Sequence, residues 1–231
     1  MIDFFREIIH QTHLYYPELL RGYRTTIILS VLSFVLAMVL GGVVALIRTS
    51  EVKPLRFLSG AYTEFFRNTP LLMQLIFLFF GLPKLQLPYF GRPDWFLLSP
   101  FNAALIGLTL YTGAYTAEAL RIGLLSVDKG QTEAARSLGL NYLQTRMYVV
   151  VPQALRISVP LLTSILSALF RNSALVSAIG VTELLQTAEN LQERNFQTFP
   201  LLTIAGILYL TLTLPLAWAS MRLEQRVAKA H

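Results

Sequence analysis

Cysteine is absent from the 231 residues. That excludes a disulfide scaffold, a thiolate metal site and a cysteine nucleophile. Charge is scarce too: Asp, Glu, Lys and Arg make up 14% of the sequence, against about a quarter in soluble domains. The three histidines, His10, His13 and His231, have no metal-like spacing. No G-x-x-x-x-G-K-[ST] phosphate loop occurs, so the chain does not bind ATP in that manner by itself. A membrane enzyme finds little support, since no His/Asp/Glu cluster has ligand spacing and no Ser-His-Asp set is apparent. Internal repeats, low-complexity tracts and a second domain are also lacking. The first residues carry Asp3, Arg6 and Glu7 rather than a basic start and a cleavable apolar core. No secretory signal is expected from them.

What the chain has in abundance is apolar sequence: 54% hydrophobic residues and a mean hydropathy of +0.54. A helix of about 20 mostly apolar residues crosses the hydrocarbon. Thr25 to Ile47, Trp95 to Ala117 and Asn195 to Met221 carry no charge. Phe57 to Pro83 is interrupted by Glu64 and Arg67, and Ile157 to Thr182 by Arg171. The expected fold is therefore all-α, a polytopic membrane protein. Its five spans fall at about 24–48, 57–83, 97–121, 154–181 and 197–221.

Five spans place the termini on opposite sides. With the N-terminus outside, the inner segments hold Arg48, Lys53, Arg56, Arg121, Lys129, Arg136, Arg146, Arg156, Arg222, Arg226 and Lys229. The outer ones hold only Arg6, Arg21, Arg24, Lys84, Arg92 and Arg194. Basic residues near span ends collect on the cytoplasmic side, so the expected orientation is N-out, C-in. The net charge of +6 follows from that asymmetry, and nucleic acid is not an expected partner because the basic residues form no single patch. Residues 1–21 form an N-terminal unit. Within it Phe4, Phe5, Ile8 and Ile9 share a helical face away from Asp3, Glu7 and His10, which suits either an interfacial helix on the bilayer or an ordinary packed one.

Between the third and fourth spans lies Glu133-Ala134-Ala135-x3-Gly139-x9-Val149-x-Val151-Pro152. Gly130 to Leu138 reads as a short helix, with Gly139 placed to stop it in the left-handed conformation. Asn141 then caps a second helix, with Gln144 completing a capping box. Glu133 and Arg136 are i,i+3 neighbours able to pair. The spacing resembles the EAA loop of bacterial ABC importer permeases, EAA-x3-G-x9-I-x-LP, with Val149 and Val151 as conservative replacements. Further matches point to the polar amino acid permeases of that family. They are Gly22-Tyr23-Arg24-Thr25-Thr26, Phe65-Phe66-Arg67-Asn68-Thr69-Pro70-Leu71-Leu72-Met73-Gln74-Leu75 (near FRGTPLLVQL), and Gly113-Ala114-Tyr115-x-Ala117-Glu118. Pro152-Gln153-Ala154-Leu155-Arg156 and Leu175-Val176-Ser177-x-Ile179-Gly180-Val181-x-Glu183-Leu184 continue the series, and the resemblance covers residues 22–226.

The resemblance implies a type I ABC importer transmembrane domain over 22–226, in the inner membrane of a bacterium. It implies a coupling segment at 128–150, with Gly130, Glu133, Ala134, Ala135, Arg136 and Gly139 at the contact with an ABC ATPase dimer. A second permease chain, identical or paralogous, and an external amino acid-binding protein complete the expected set of partners. ATP and magnesium act on the ATPase, leaving this chain as a transport subunit without catalytic, metal or cofactor residues. The alternative is a stand-alone secondary amino acid transporter or channel, which a five-span chain without an inverted repeat fits poorly.

Polar groups inside the spans mark the expected substrate path, since an ionisable group in the hydrocarbon is costly and faces the bundle or water. The candidates are Arg67, Gln74, Tyr111, Tyr115, Glu118, Ser167, Arg171, Asn172 and Ser173. Tyr111, Tyr115 and Glu118 fall on one helical face, as do Ser164, Ser167 and Arg171, and as do Arg67 and Gln74 with Pro70 between them. Glu118 with either arginine offers a pair for a zwitterion. Equally, Arg67 can snorkel to the interface, and Arg171 can lock to Glu118 as a structural pair. Many family members carry a Lys-Asp-Thr-like triplet where this chain has Arg171-Asn172-Ser173. Loss of that acid favours glutamate, aspartate, glutamine or asparagine over cationic amino acids.

Overall fold

The computed structural model describes residues 2–85 and 99–228, and every regular element among them is helical. Trp95 and the start of the third apolar run lie outside the described residues, as do Arg92, Lys229, His231 and the side chains of Phe4 and Phe5.

The first helix, α1 (Ile2–Arg48), runs for 47 residues, so the expected surface helix and first span are joined. A kink at Tyr15 (φ −111°, ψ 16°) separates them. Pro17 accounts for it, because proline lacks an N–H and its ring crowds the preceding turn. Ile8 and Tyr15 pack on Leu19, Leu184, Leu191 and Leu201, so this N-terminal stretch is partly fastened to the protein while Ile9 and Leu14 stay exposed.

The second expected span, 57–83, is not one helix. α2 (Lys53–Asn68) meets α3 (Leu71–Ile76), which continues through a π-turn and a 3₁₀ turn, at a bend of 105°. Proline disfavours the α region for the residue before it, and Thr69 is extended at φ −108°, ψ 141°. Arg67 and Gln74 therefore do not share a helical face, contrary to expectation: Pro70 puts them on two helices.

α4 (Pro100–Leu125) packs between α1 and the later helix α7 (Val151–Asn172), and buries Ala103, Ala104, Gly107, Gly113, Ala114 and Ala117. Small residues let helix backbones approach closely. A Cβ at Gly123 would lie 2.1 Å from Ser158 Oγ and 2.6 Å from the Ala154 carbonyl oxygen of α7. Among the described residues, three helical stretches are long and apolar enough to cross a membrane: Arg6–Arg48, Tyr142–Ile179 and Thr198–Gln225. A fourth is added if the bent pair counts as one. α4, at 26 residues, is long enough to span but is not among them, since its glycines, threonines, tyrosines and Glu118 lower its mean hydropathy.

Between α4 and α7 come α5 (Lys129–Ser137), α6 (Tyr142–Gln144) and a π-turn over Thr145–Val150. α7 runs into a 3₁₀ turn (Ser173–Ile179), followed by α8 (Leu184–Asn195) and α9 (Thr198–Ala228). α7 and α9 are joined by hydroxyls: Ser164 Oγ and Ser220 Oγ are 2.8 Å apart, and Ser220 donates to the Pro160 carbonyl at 2.9 Å. The largest apolar cluster gathers Leu29, Leu75, Leu108, Leu169, Val176 and Ile179 from α1, α3, α4, α7 and the 3₁₀ turn.

Candidate transport path and docking segment

Residues 128–150 form helix, bend, helix. Asp128 caps α5, its Oδ1 accepting from Gly130 N at 2.6 Å. Gly139 takes φ +88°. There its N–H donates to the Arg136 carbonyl at 3.0 Å, and Leu140 N–H to the Ala135 carbonyl at 3.3 Å. This is the Schellman pattern, whose left-handed residue is usually glycine. The capping box is present, with Gln144 N donating to Asn141 Oδ1 and Asn141 N to Gln144 Oε1, each at 2.9 Å. Ala135 turns inward, while Glu133, Ala134 and Arg136 stay exposed. The alternative Glu133–Arg136 pair does not form: the ion pairs among the described residues both involve Glu118. Leu138 (82% exposed), Leu143 (67%) and Tyr148 (73%) project outward from the same segment.

Gln74 is buried beside the bend between α2 and α3. Its Nε2 lies within hydrogen-bond distance of the Phe66 carbonyl (3.1 Å), the Thr69 carbonyl (3.2 Å) and Thr69 Oγ1 (2.6 Å). The amide thus satisfies groups that the proline break sets free, and its buried Oε1 has no partner among the described residues. Arg67 lies with its guanidinium 5.5 Å from the Tyr115 ring centroid, and Tyr115 donates to the Arg67 carbonyl at 3.5 Å. Arg67 Nε is buried and has no hydrogen-bond partner among the described residues.

Two cavities carry the other expected path residues. The first, of about 250 Å³, lies between α4 and α7 and is lined by Tyr111, Thr112, Tyr115, Ala168 and Asn172. Tyr111 donates to Tyr115 at 3.3 Å across its wall. The second, of about 260 Å³, lies between α7 and α9 and is lined by Ser164, Ser167, Arg171, Ser220 and Glu224. Arg171 donates to Ser167 Oγ at 3.1 Å, one turn back on α7. Ser173 is in neither cavity; it is buried and donates to the Phe170 carbonyl at 2.8 Å.

The alternative Glu118–Arg171 lock does not form, and Glu118 does not pair with Arg67 either. Arg121 grips it at 2.5 Å and Arg48, the last residue of α1, at 3.2 Å. The reason is local: Arg121 is an i,i+3 neighbour, and α1 runs along α4, bringing Arg48 to the same place. Arg67 and Arg171 have no carboxylate partner among the described residues.

Sequence reasoning missed the role of Glu183, which it named only within a motif. This carboxylate is fully buried at the start of α8, accepting from Leu185 N (3.0 Å), Gln186 N (2.9 Å), Thr26 Oγ1 (3.3 Å) and the Tyr209 hydroxyl. It locks α8 to α1 and α9. Burial pushes its carboxyl above the ordinary range, although each of the four donors favours the ionised form. A Glu-x-x-Gln run before an amphipathic stretch is the signal that marks such a cap.

Residues 33–229 match the model of the binding-protein-dependent transport system inner membrane component family. The chain is 36% identical over 210 residues to the probable glutamine ABC transporter permease protein GlnM of Bacillus subtilis, covering 91% of this chain and 93% of that one. It is 38% identical over 219 residues to the glutamate transport system permease protein GluC of Corynebacterium glutamicum, covering 92% and 95%. The arginine transport system permease protein ArtQ of Bacillus subtilis is 32% identical over 211 residues, with coverage of 91% and 93%. A crystal structure of an amino acid ABC transporter with histidines superposes with a TM-score of 0.81 at 30% identity, covering 94% of this chain and 97% of that one. The methionine ABC transporter MetNI in an inward-facing conformation gives 0.73 at 22% identity, covering 92% and 97%, a likeness of fold. The chain therefore belongs to the binding-protein-dependent inner membrane components, as the permease component of an amino acid ABC importer.

Proposed function

We propose that this chain moves a polar amino acid across the inner membrane by alternating access, driven by a separate ABC ATPase that docks on residues 128–150. The observation that carries the proposal is the docking segment itself. A glycine bend and a capping box fix its shape, yet Leu138, Leu143 and Tyr148 face outward, and Glu133 and Arg136 have no ion-pair partner among the described residues. Exposed apolar residues beside free charges are what an ATPase groove would bury. In the N-out, C-in orientation this segment lies in the cytoplasm. Gly130, Ala134 and Ala135 support its first helix. A second permease chain completes the pathway, an external binding protein delivers the amino acid, and ATP and magnesium belong to the ATPase.

Tyr111, Tyr115, Asn172, Ser167 and Arg171 line the substrate path in this reading. Their cavities fall just below the range of drug-sized pockets, about 300–1,000 Å³, which suits an amino acid. Gln74, Glu118 and Ser173 support the path rather than line it. With Glu118 engaged by two arginines, Arg67 and Arg171 are the cations left for substrate, and Glu224 shares the Arg171 cavity; two cations against one carboxylate favour an acidic or amide side chain. Relatives named as glutamine, glutamate and arginine permeases fall on both sides of that preference. Uptake by the reconstituted importer, competed with each amino acid in turn, tests the preference. Glutamate, glutamine, aspartate or asparagine should compete best. Competition by arginine or lysine alone would refute the preference and leave the importer reading standing.

A further inference from the structure

Residues 128–150 are joined to the bundle along the chain at both ends, but sideways by very little. Among the described residues, the side-chain hydrogen bonds that leave this segment for another helix all come from Arg146. Its Nη1 donates to the Thr49 carbonyl at 3.1 Å, and its Nη2 donates to Thr49 Oγ1. Thr49 directly follows the last residue of α1.

The chemistry at this point is matched. The Thr49 hydroxyl donates back into α1, to the Ala45 carbonyl at 3.0 Å and the Leu46 carbonyl at 3.2 Å, which leaves its lone pairs for a donor. Arginine only donates, and its planar fork reaches a carbonyl and a hydroxyl together. Tyr142, from α6, fixes the guanidinium from behind: its hydroxyl accepts at 2.5 Å and its ring centroid lies 5.5 Å from Arg146 Cζ. One residue before Thr49, Arg48 donates to Glu118 on α4 at 3.2 Å and to the buried Thr63 on α2. Arg146 therefore grips the end of α1, and α1 is held there to α4 and α2.

We propose that Arg146 is the positioning residue that transmits movement of the docking segment to the membrane helices, by pulling on Thr49 at the end of α1. The proposal rests on the docking reading above. A segment pushed by its partner would otherwise move only α4 and α7, to which it is covalently joined. Through Arg146 the same push reaches α1 and, by Arg48, the α2 end of the bundle.

The test uses the full importer, purified with its ATPase and binding protein in liposomes, and reads amino acid taken up per ATP hydrolysed. In Arg146→Ala the ATPase should remain bound, since Glu133, Leu138 and Tyr148 are untouched, while uptake per ATP falls on the order of tenfold. Arg146→Lys should recover part of the loss, because an ammonium holds one acceptor well but not the pair. Thr49→Val keeps fold and carbonyl and should fall less. The double variant should be no worse than Arg146→Ala alone, as expected for two ends of one contact. Unchanged uptake per ATP in Arg146→Ala, or additive losses in the double variant, would overturn the proposal. So would release of the ATPase by Arg146→Ala, which would make Arg146 part of the docking face, or failure of Thr49→Val to insert, which would make the contact a structural staple. Absence of any ATPase on the unaltered chain would instead overturn the docking reading.

Discussion

Gly139 offers a test in which backbone conformation can be separated from packing. It holds φ +88°, and a Cβ built there meets no atom within 4 Å. Any effect of a side chain must then come from the backbone. The bend is held by two hydrogen bonds, Gly139 N to Arg136 O and Leu140 N to Ala135 O. Each is worth a net of about 1 kcal/mol. A left-handed non-glycine residue costs roughly 1–2 kcal/mol, and a β-branched one stands at the upper end of the roughly 1–3 kcal/mol of strained backbone. Alanine should nearly cancel the bend's stabilisation, and valine should exceed it. Asparagine tolerates this region and should lose least. Coupled uptake in liposomes should thus fall in the order Gly, Asn, Ala, Val, with the valine variant near background while still inserted. A valine variant as active as the asparagine one would refute the reasoning. Equal loss in all three would place a partner's surface against Gly139 and refute it too.

Gly123→Ala should drive α4 from α7, because its Cβ would meet Ser158 Oγ and the Ala154 carbonyl; overpacking of this kind costs about 1–3 kcal/mol, read as a lower Tm in detergent. Glu183→Ala strands up to four donors, each costing about 1–3 kcal/mol if left unsatisfied, and should lower Tm more than Glu183→Gln does. Burial raises the Glu183 pKa on folding, so this carboxyl's contribution is full below the unfolded value and lost as pH rises through the folded one. The corresponding decline of Tm with pH should be absent in Glu183→Gln. Gln74→Leu removes the splint at the bend and should cost about 1–3 kcal/mol, at about 0.5–1.5 kcal/mol for each of the two N–H donors its amide carries; unchanged Tm with lost uptake would make Gln74 a path residue instead.

The helix, bend and helix of residues 128–150 were legible because their signals are local. Gly139, Asn141 and Gln144 act within one or two turns, and each formed the contact its spacing implied. The helical membrane class was legible from apolar runs that dominate the composition. Pairing across helices was not, because it depends on which faces meet. Arg48 was read as an orientation charge, yet the course of α1 along α4 delivers it to Glu118 and takes that carboxylate from Arg67 and Arg171. The second span shows how one residue redirects a long pattern. The apolar run continues through Pro70, where a local bend can open, and the clash that proline imposes on Thr69 turns the helix by 105° and sets the Gln74 amide against the freed Phe66 carbonyl. Glu183 escaped notice because a carboxylate near a predicted outer loop reads as solvated. Only the approach of Thr26 and Tyr209, distant in sequence, reveals it as buried.

The central claim is that amino acid movement through this chain is driven by ATP hydrolysed elsewhere, through residues 128–150. The most direct measurement places the copurified complex in liposomes with the binding protein outside, and follows labelled glutamate or glutamine with and without ATP and magnesium inside. Uptake should require ATP, stop in Gly139→Val, and persist in Glu133→Gln at a reduced rate. Uptake that proceeds without ATP, or is indifferent to changes in residues 128–150, would contradict the account and favour a stand-alone transporter or channel.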